Sequence, residues 1–315
     1  MISRRIIRTK VLQIFYAHVS SPSKTMTQSE SELLFSIRKT YDLYHLLFAI
    51  LSELKDFSKG RIESRRLKNL PTKDDLNPNL RFINNRLIKR LEKDKSLNSY
   101  LSKNKLSWSQ YPDLIKGIHA AMIDSDLYIS YINSETDDFK NDRRFCEDFF
   151  SEVLVNSELM LNELEEQSIY WNDDLDFTIS MVIKTIKKFK TEEDHNEYLM
   201  SLYKDEEDQE FTTKLFRKAI LSNHDNRRVI ENYTKNWDVD RVAIMDILIM
   251  ELALTELMEF PSIPIKVTLN EYIELAKYYS TNRSSTFING ILDRITKDYK
   301  EKGRIVKAGR GLMEG

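Results

Sequence analysis

The chain has 315 residues, 41% hydrophobic and 31% charged, which suits one large domain or two modest ones with a real core. Its net charge of −2 excludes a generally basic nucleic-acid binder, and the single Cys146 excludes an intramolecular disulfide. Seven glycines and six prolines, with no proline between Pro112 and Pro261, favour long uninterrupted helices.

The predicted elements are all helical. A basic amphipathic helix covers 6–18; its apolar residues are interrupted by Arg8, Thr9, Lys10, Gln13 and His18, so it does not read as a signal peptide. Ser29 with Glu32 has the form of a capping box opening a long helix. On it Leu34, Ile37, Tyr41, Tyr44, Phe48 and Leu51 form one apolar stripe. A polar connector at 55–79 follows, then helices at about 79–102, 112–133, 144–167 and 172–190, with a short one at 192–203. Further helices are expected at 209–223, 225–236 and 238–259, stopped by the two prolines of "EFPSIP". Thr268 with Glu271 reads as a second capping box, and the last helix begins near Ser284. The expected fold is an all-α helical bundle, with extra helices in a long middle region. No stretch approaches 18 consecutive apolar residues, so no membrane span and a cytoplasmic location are expected.

A shift of 66 residues lays Phe145–Ile183 on Phe211–Ile249 without a gap. Phe145, Phe150, Glu165, Trp171, Asp174 and Ile183 then fall on Phe211, Phe216, Glu231, Trp237, Asp240 and Ile249. This is either a duplicated helical unit or a chance likeness of two amphipathic pairs.

Signatures of catalysis are absent. There is no phosphate loop, no dinucleotide fingerprint and no nucleophile elbow. One cysteine and scattered His18, His45, His119, His195 and His224 give no metal-ligand spacing, so no metal and no cofactor are expected. Cys146, beside Phe145 and Phe149, reads as a core thiol. Asp173, Asp174 and Asp176 read as acids at a helix start rather than an acid/base pair. The expectation is a non-enzymatic protein. Charge is uneven: Arg4, Arg5, Arg8 and Lys10 crowd the first ten residues, and the last helix and tail are also basic. Two basic ends on a neutral body can make one local phosphate-binding patch, or simply solvated helix ends.

Three motifs in order sharpen this: "DILIMELALTEL", "IPIKVTLNEYIELAKYYS" and "TFINGILDRI". Together with the opening "RRIIRTKVLQIFYA", they resemble the NusB family of transcription antitermination factors. The resemblance covers about 1–20 and 205–300 and says little of the stretch between. It implies an extended region at 21–204 and a C-terminal NusB-like subdomain at 205–300. The tail at 301–315 is basic, and the glycines of "KAGRGLMEG" suggest that it is disordered. The resemblance also implies an adaptor that holds single-stranded boxA RNA of ribosomal transcripts together with NusE, a small-subunit ribosomal protein, in an RNA polymerase antitermination complex. By the same resemblance Arg4, Arg5 and Arg8 fall on the family's arginine positions. Arg4 and Arg8, one turn apart, share a face and can reach one phosphate backbone, so the N-terminal arginines are expected to contact RNA. Phe287 in turn falls on the family's RNA-contacting phenylalanine. Beside it, Arg283, Ser284, Ser285 and Thr286 supply a cation, hydroxyls and free N–H groups at a helix start. Tyr16 and Asp246 fall on positions near the NusE interface. Glu251 and Arg283 depart from the family pattern, which often has Arg and Asp there. Gly290, costly inside a helix, together with Asn289, reads as a packing notch that fixes the last helix. The rival reading is a helical protein–protein scaffold whose NusB-like module no longer binds RNA.

Overall fold

A computed structural model describes residues 1–21, 23–193, 196–234, 243–281 and 283–312. Helices and loops, with no strand, make up the described residues. In chain order these are α1 (Arg4–Val19), α2 (Met26–Arg66), α3 (Lys73–Leu76), α4 (Arg86–Glu92), α5 (Lys95–Asn104), α6 (Pro112–Ile123), α7 (Asp126–Asn133) and α8 (Phe139–Asp148). Helix α8 runs into a π-helical turn (Phe149–Leu154), followed by α9 (Glu158–Gln167), α10 (Leu175–Ile186), α11 (Glu206–Tyr233), α12 (Ile244–Glu259), α13 (Ile265–Tyr279), α14 (Ser284–Glu301) and a 3-10 turn (Gly309–Leu312). The all-α expectation holds, and no helix among the described residues is long and apolar enough to cross a membrane.

Several expected helices divide, each for the same reason. A short polar side chain captures a backbone N–H and starts a new helix: Asp94 accepts from Leu97, Ser125 from Tyr128 and Ser157 from Met160. The ranges 79–102, 112–133 and 144–167 are therefore pairs of shorter helices. Conversely, α2 continues through Gly60 to Arg66, and 209–236 is the single helix α11 up to Tyr233. No helix forms at 192–203 among the described residues; residues 194 and 195, including His195, lie outside them. Trp237 and Asp240 of the repeat also lie outside, as does the start expected at 238. Of the aligned stretches, the first is broken at Ser157 while the second runs unbroken to Tyr233.

The chain divides into two compact units, residues 38–202 with Met1, and residues 2–37 with 203–315. The first is built on the second half of α2, whose Leu43, Tyr44, Leu47, Phe48, Leu51 and Leu54 are buried with Phe145, Phe149, Phe150 and Trp171. Its large polar-tipped rings find partners, as buried indoles require: Trp108 Nε1 donates to the Leu46 carbonyl (2.7 Å) and Trp171 Nε1 to that of Lys39 (2.6 Å). Cys146 is buried among them, and burial pushes its thiol pKa well above the ordinary value. Asp174 heads α10 without capping it; its carboxylate accepts from Thr40 Oγ1 at 2.6 Å.

The second unit is centred on α12. Its sequence "IMDILIMELALTELME" is apolar on all sides, the pattern of a fully enclosed helix, and every residue from Leu248 to Leu257 is buried. Helices α1, α11, α13 and α14 pack around it. The tail, expected to be disordered, is folded back as far as Leu312; residues 313–315 lie outside the described residues. Its glycines are what order it. Gly303, at φ +65, ends α14 in a Schellman motif, with its own N–H on the Lys300 carbonyl (3.1 Å) and that of Arg304 on Tyr299 (2.8 Å). Further on, Ala308 N–H donates to the Pro261 carbonyl (3.0 Å), and Gly311 lies so close to Pro261 that a Cβ would stand 1.9 Å from that oxygen.

Candidate nucleic-acid interface

The second unit holds every residue singled out by the motifs. Its N-terminal arginines are not free cations. Arg4 pairs with Asp208 (Nε, 2.8 Å) and Glu207 (Nη2, 2.9 Å) on α11. Arg5 makes a bidentate pair with Glu271 on α13 (3.0 and 2.8 Å), yet its side chain stays 58% exposed. The hydrogen bond between them raises the pKa of Arg5 and lowers that of Glu271.

Arg8 differs in kind. It is 3% exposed and forks onto Glu256 of α12, with both N–H···O distances at 2.7 Å. Glu256, itself fully buried, also accepts from Thr268 Oγ1 (2.8 Å) and Tyr272 OH (3.2 Å). Burial works against the Arg8 charge, but the hydrogen bonds and charge of Glu256 outweigh it, so its pKa is raised. The Arg4 and Arg8 guanidiniums both lie over the Phe211 ring, 5.1 and 5.2 Å from its centroid. Arg8 is thus a core residue that ties α1 to α12. The expectation that it touches RNA is corrected, because its donors are spent on a buried carboxylate. Glu256, the residue that makes this so, was missed in the sequence although it is the glutamate of "LALTEL".

The start of α14 is built by another buried acid. Asp246, in the first turn of α12, accepts from Ser284 Oγ at 2.8 Å and from Ser280 Oγ. Ser284 is also bonded to Thr281 Oγ1 (2.7 Å). Asp246 and Ser284 are both buried, so neither presents a group to a partner or to RNA. Their role is to hold the α13–α14 loop, and the placement of Asp246 at a partner interface is corrected accordingly. Above them, Arg283 and Thr286 are exposed, Ser285 and Phe287 are half-buried, and α14 begins at Ser284 with no side chain capping it. Uncapped N–H groups at a helix start attract anions. Tyr16 is exposed on α1.

The two ends of this surface are related by α1 and α13. Arg5 reaches Glu271, and Gln13 Nε2 reaches Tyr279 OH (3.1 Å), eight residues further along both helices. The helices therefore run side by side in the same direction, and Arg5 stands about 12 Å along them from the loop that leads to Arg283.

Asn289 and Gly290 do not form a packing notch. Both are exposed, and a Cβ on Gly290 would meet nothing within 4 Å. Gly290→Ala should therefore stabilise the protein by about 0.5–1 kcal/mol, because it removes the helix penalty of glycine at no steric cost. A lower melting temperature in this variant would contradict the open space seen here.

Glu251 makes a pH-dependent element. It is fully buried on α12 and accepts from Asn223 (2.6 Å) and Arg227 (3.0 Å) of α11. Burial pushes its pKa up to about 7, against the pull of Arg227 and Asn223. The folded protein then holds the proton more tightly than the unfolded chain, whose carboxyl keeps the ordinary value of 4.5. Stability contributed by this group falls as pH rises from about 4.5 to about 7 and is level above. The full effect is at most about 3 kcal/mol. In thermal melts across this window, Glu251→Gln should show a flatter pH dependence than the parent chain; parallel curves would contradict it.

Comparison with known proteins agrees with the motifs. A family model described as the NusB family matches residues 175–297. The chain is 40% identical over 112 residues to "Transcription antitermination protein NusB" of Salinibacter ruber, covering 36% of this chain and 70% of that protein. It is 40% identical over 105 residues to the protein of the same name from Chloroherpeton thalassium, covering 33% of this chain and 50% of that protein. Among solved structures, T. maritima NusB matches at 28% identity and a TM-score of 0.30, covering 46% of this chain and 89% of that one. On the strength of its likeness to the S. ruber protein, the chain belongs to the NusB family.

Proposed function

We propose that this protein is a non-enzymatic, cytoplasmic RNA-binding antitermination factor. It holds a short boxA-type single-stranded RNA of ribosomal transcripts together with a NusE-type ribosomal protein, within an RNA polymerase antitermination complex. The observation that carries the reading is the start of α14, where exposed Arg283 and Thr286 stand with Ser285 and Phe287 at an uncapped helix N-terminus. Guanidinium and N–H groups attract phosphate, and a partly exposed ring offers a stacking face for an unstacked base. Arg5 extends this surface along α13, and Arg4 adds a cation on the α11 side of α1, while the buried Arg8 and Ser284 act from within. Tyr16 is the residue on the exposed face of α1 offered to the protein partner.

The scaffold reading draws on one specific observation: all three N-terminal arginines are bonded to acids of their own chain, which lowers the free positive charge at that end. Arg283 separates the readings, because it is exposed and makes no ion pair among the described residues. Arg283→Asp should weaken binding of a short single-stranded RNA roughly tenfold at low salt, by removing one phosphate contact and adding repulsion. Unchanged affinity in a fluorescence-anisotropy titration would favour the scaffold.

A further inference from the structure

The first unit, most of which lies outside the family match, carries its own basic face. The last turns of α2 and the three residues after it read "FSKGRIESRRLKN", with Lys59, Arg61, Arg65 and Arg66 on the helix and Lys68 just beyond it, against the single acid Glu63. Lys68 pairs with Asp75 at 3.0 Å. Lys59, Arg61, Arg65 and Arg66 make no ion pair among the described residues, in contrast to Arg4, Arg5 and Arg8. Phe57, Arg61, Ser64, Arg65 and Lys68 recur at helical spacing and line one open concavity with Gly60. Gly60 leaves the helix backbone bare there, since a Cβ would meet nothing within 4 Å. Beneath the face, His119 is buried, bonded to Ser58 Oγ at 2.8 Å and set edge-on to Phe57. Burial, and then the charges of Arg61 and Arg65, push His119 down to about 4, so it adds no charge of its own at neutral pH.

Cations in the last turn of a helix complement its dipole, but that effect is confined to the last turn and does not account for Lys59 and Arg61. Unpaired guanidiniums on successive turns of one face, about 6 Å apart along the axis, make a linear array suited to the phosphates of an extended strand. A half-buried ring at its edge and a side-chain-free stretch of backbone allow a base to approach. We propose that the Phe57–Arg66 face of α2, with Lys68 just past its end, is a second RNA contact, which grips the phosphate backbone without reading sequence. The choice of RNA as occupant rests on the function proposed above; the charge complementarity does not.

The test is a pair of titrations of the full chain with single-stranded RNA of roughly 12 and 40 nucleotides, each at two salt concentrations. Arg61→Ala/Arg65→Ala/Arg66→Ala should bind the longer RNA at least about tenfold more weakly, with a log–log salt slope shallower by about 2, as expected for three lost phosphate contacts. The corresponding triple lysine variant should retain binding to within a few-fold. Arg65 and Arg66 are exposed, Arg61 is half-buried, and none of the three makes an ion pair among the described residues, so an unchanged melting temperature should confirm folding; Arg65→Glu alone serves if the triple variant is unstable. Parent-like affinity and slope in the alanine or glutamate variants overturn this site, whatever Arg283→Asp does. Loss in Arg283→Asp alone supports only the α14 surface, and loss in the α2 variants alone supports only this one. No binding of the longer RNA by the parent chain, or retention by the face of an acidic polypeptide but not of RNA, also overturns it.

Discussion

Arg8→Ala should cost the second unit about 3–5 kcal/mol, the range for removing one partner of a buried ion pair. The loss comes less from the missing attraction than from what remains. Glu256, fully buried, would keep only the hydroxyls of Thr268 and Tyr272. Arg5→Ala removes an equally bidentate pair at the surface and should cost no more than about 1 kcal/mol, since water solvates what is left behind. Arg8→Met with Glu256→Leu should recover much of the loss, because a well-packed apolar pair can replace a buried ionic one. Chemical denaturation of the three variants checks this. A small effect of Arg8→Ala, comparable to that of Arg5→Ala, would return Arg8 to the exposed surface.

Asp246→Ala should be the second large effect. Its carboxylate is the acceptor for Ser280 and Ser284, and without it two hydroxyls lose a charged partner. At roughly 1.5–3 kcal/mol for each hydrogen bond to a charged group, two bonds give about 3–6 kcal/mol, and the loss should fall in the lower half of that range because Ser280 still bonds Ser284. Ser280 and the first turn of α14 would lose their anchor, so RNA affinity should fall as well although Asp246 itself is buried. Asp246→Asn should lie between the parent and Asp246→Ala in stability. If Asp246→Ala melted like the parent chain, the loop would be held by something other than this carboxylate.

These two residues show where the sequence was readable. The all-α class followed from the scarcity of glycine and proline, and a helix ending at Glu259 from the prolines that follow it. The family was legible in three ordered motifs, and Cys146 in its phenylalanine neighbours. What failed was the assumption that a polar residue acts on its nearest backbone. Ser29 and Glu32 have the spacing of a capping box, but α2 is opened by Thr25 and Gln28, which bond each other's backbone and side chain. Ser29, already inside the helix, is bonded to His18 Nδ1 at 2.8 Å. Thr268 and Glu271 likewise sit inside α13, where one bonds Glu256 and the other Arg5. Local spacing cannot tell a cap from a contact to a helix some 250 residues away, since both require the same short polar side chain. The arginines misled for the same reason. Composition counts positive charge, and only the fold shows which acid neutralises it. Gly290 failed in the opposite direction: a costly residue suggested a close contact where the structure has open space.

The central claim is that the second unit holds RNA by an exposed surface that Arg8, Glu256 and Asp246 support from within. The most direct measurement is titration of a boxA-type single-stranded RNA, with and without the NusE-type protein, at two salt concentrations, for the parent chain and for Arg5→Ala/Arg283→Ala. The account predicts weak, salt-sensitive binding by the chain alone, tighter binding with the partner, and a loss in the double variant whose melting temperature falls by no more than a few degrees. Equal affinity of parent and variant, or no binding with the partner present, would contradict it.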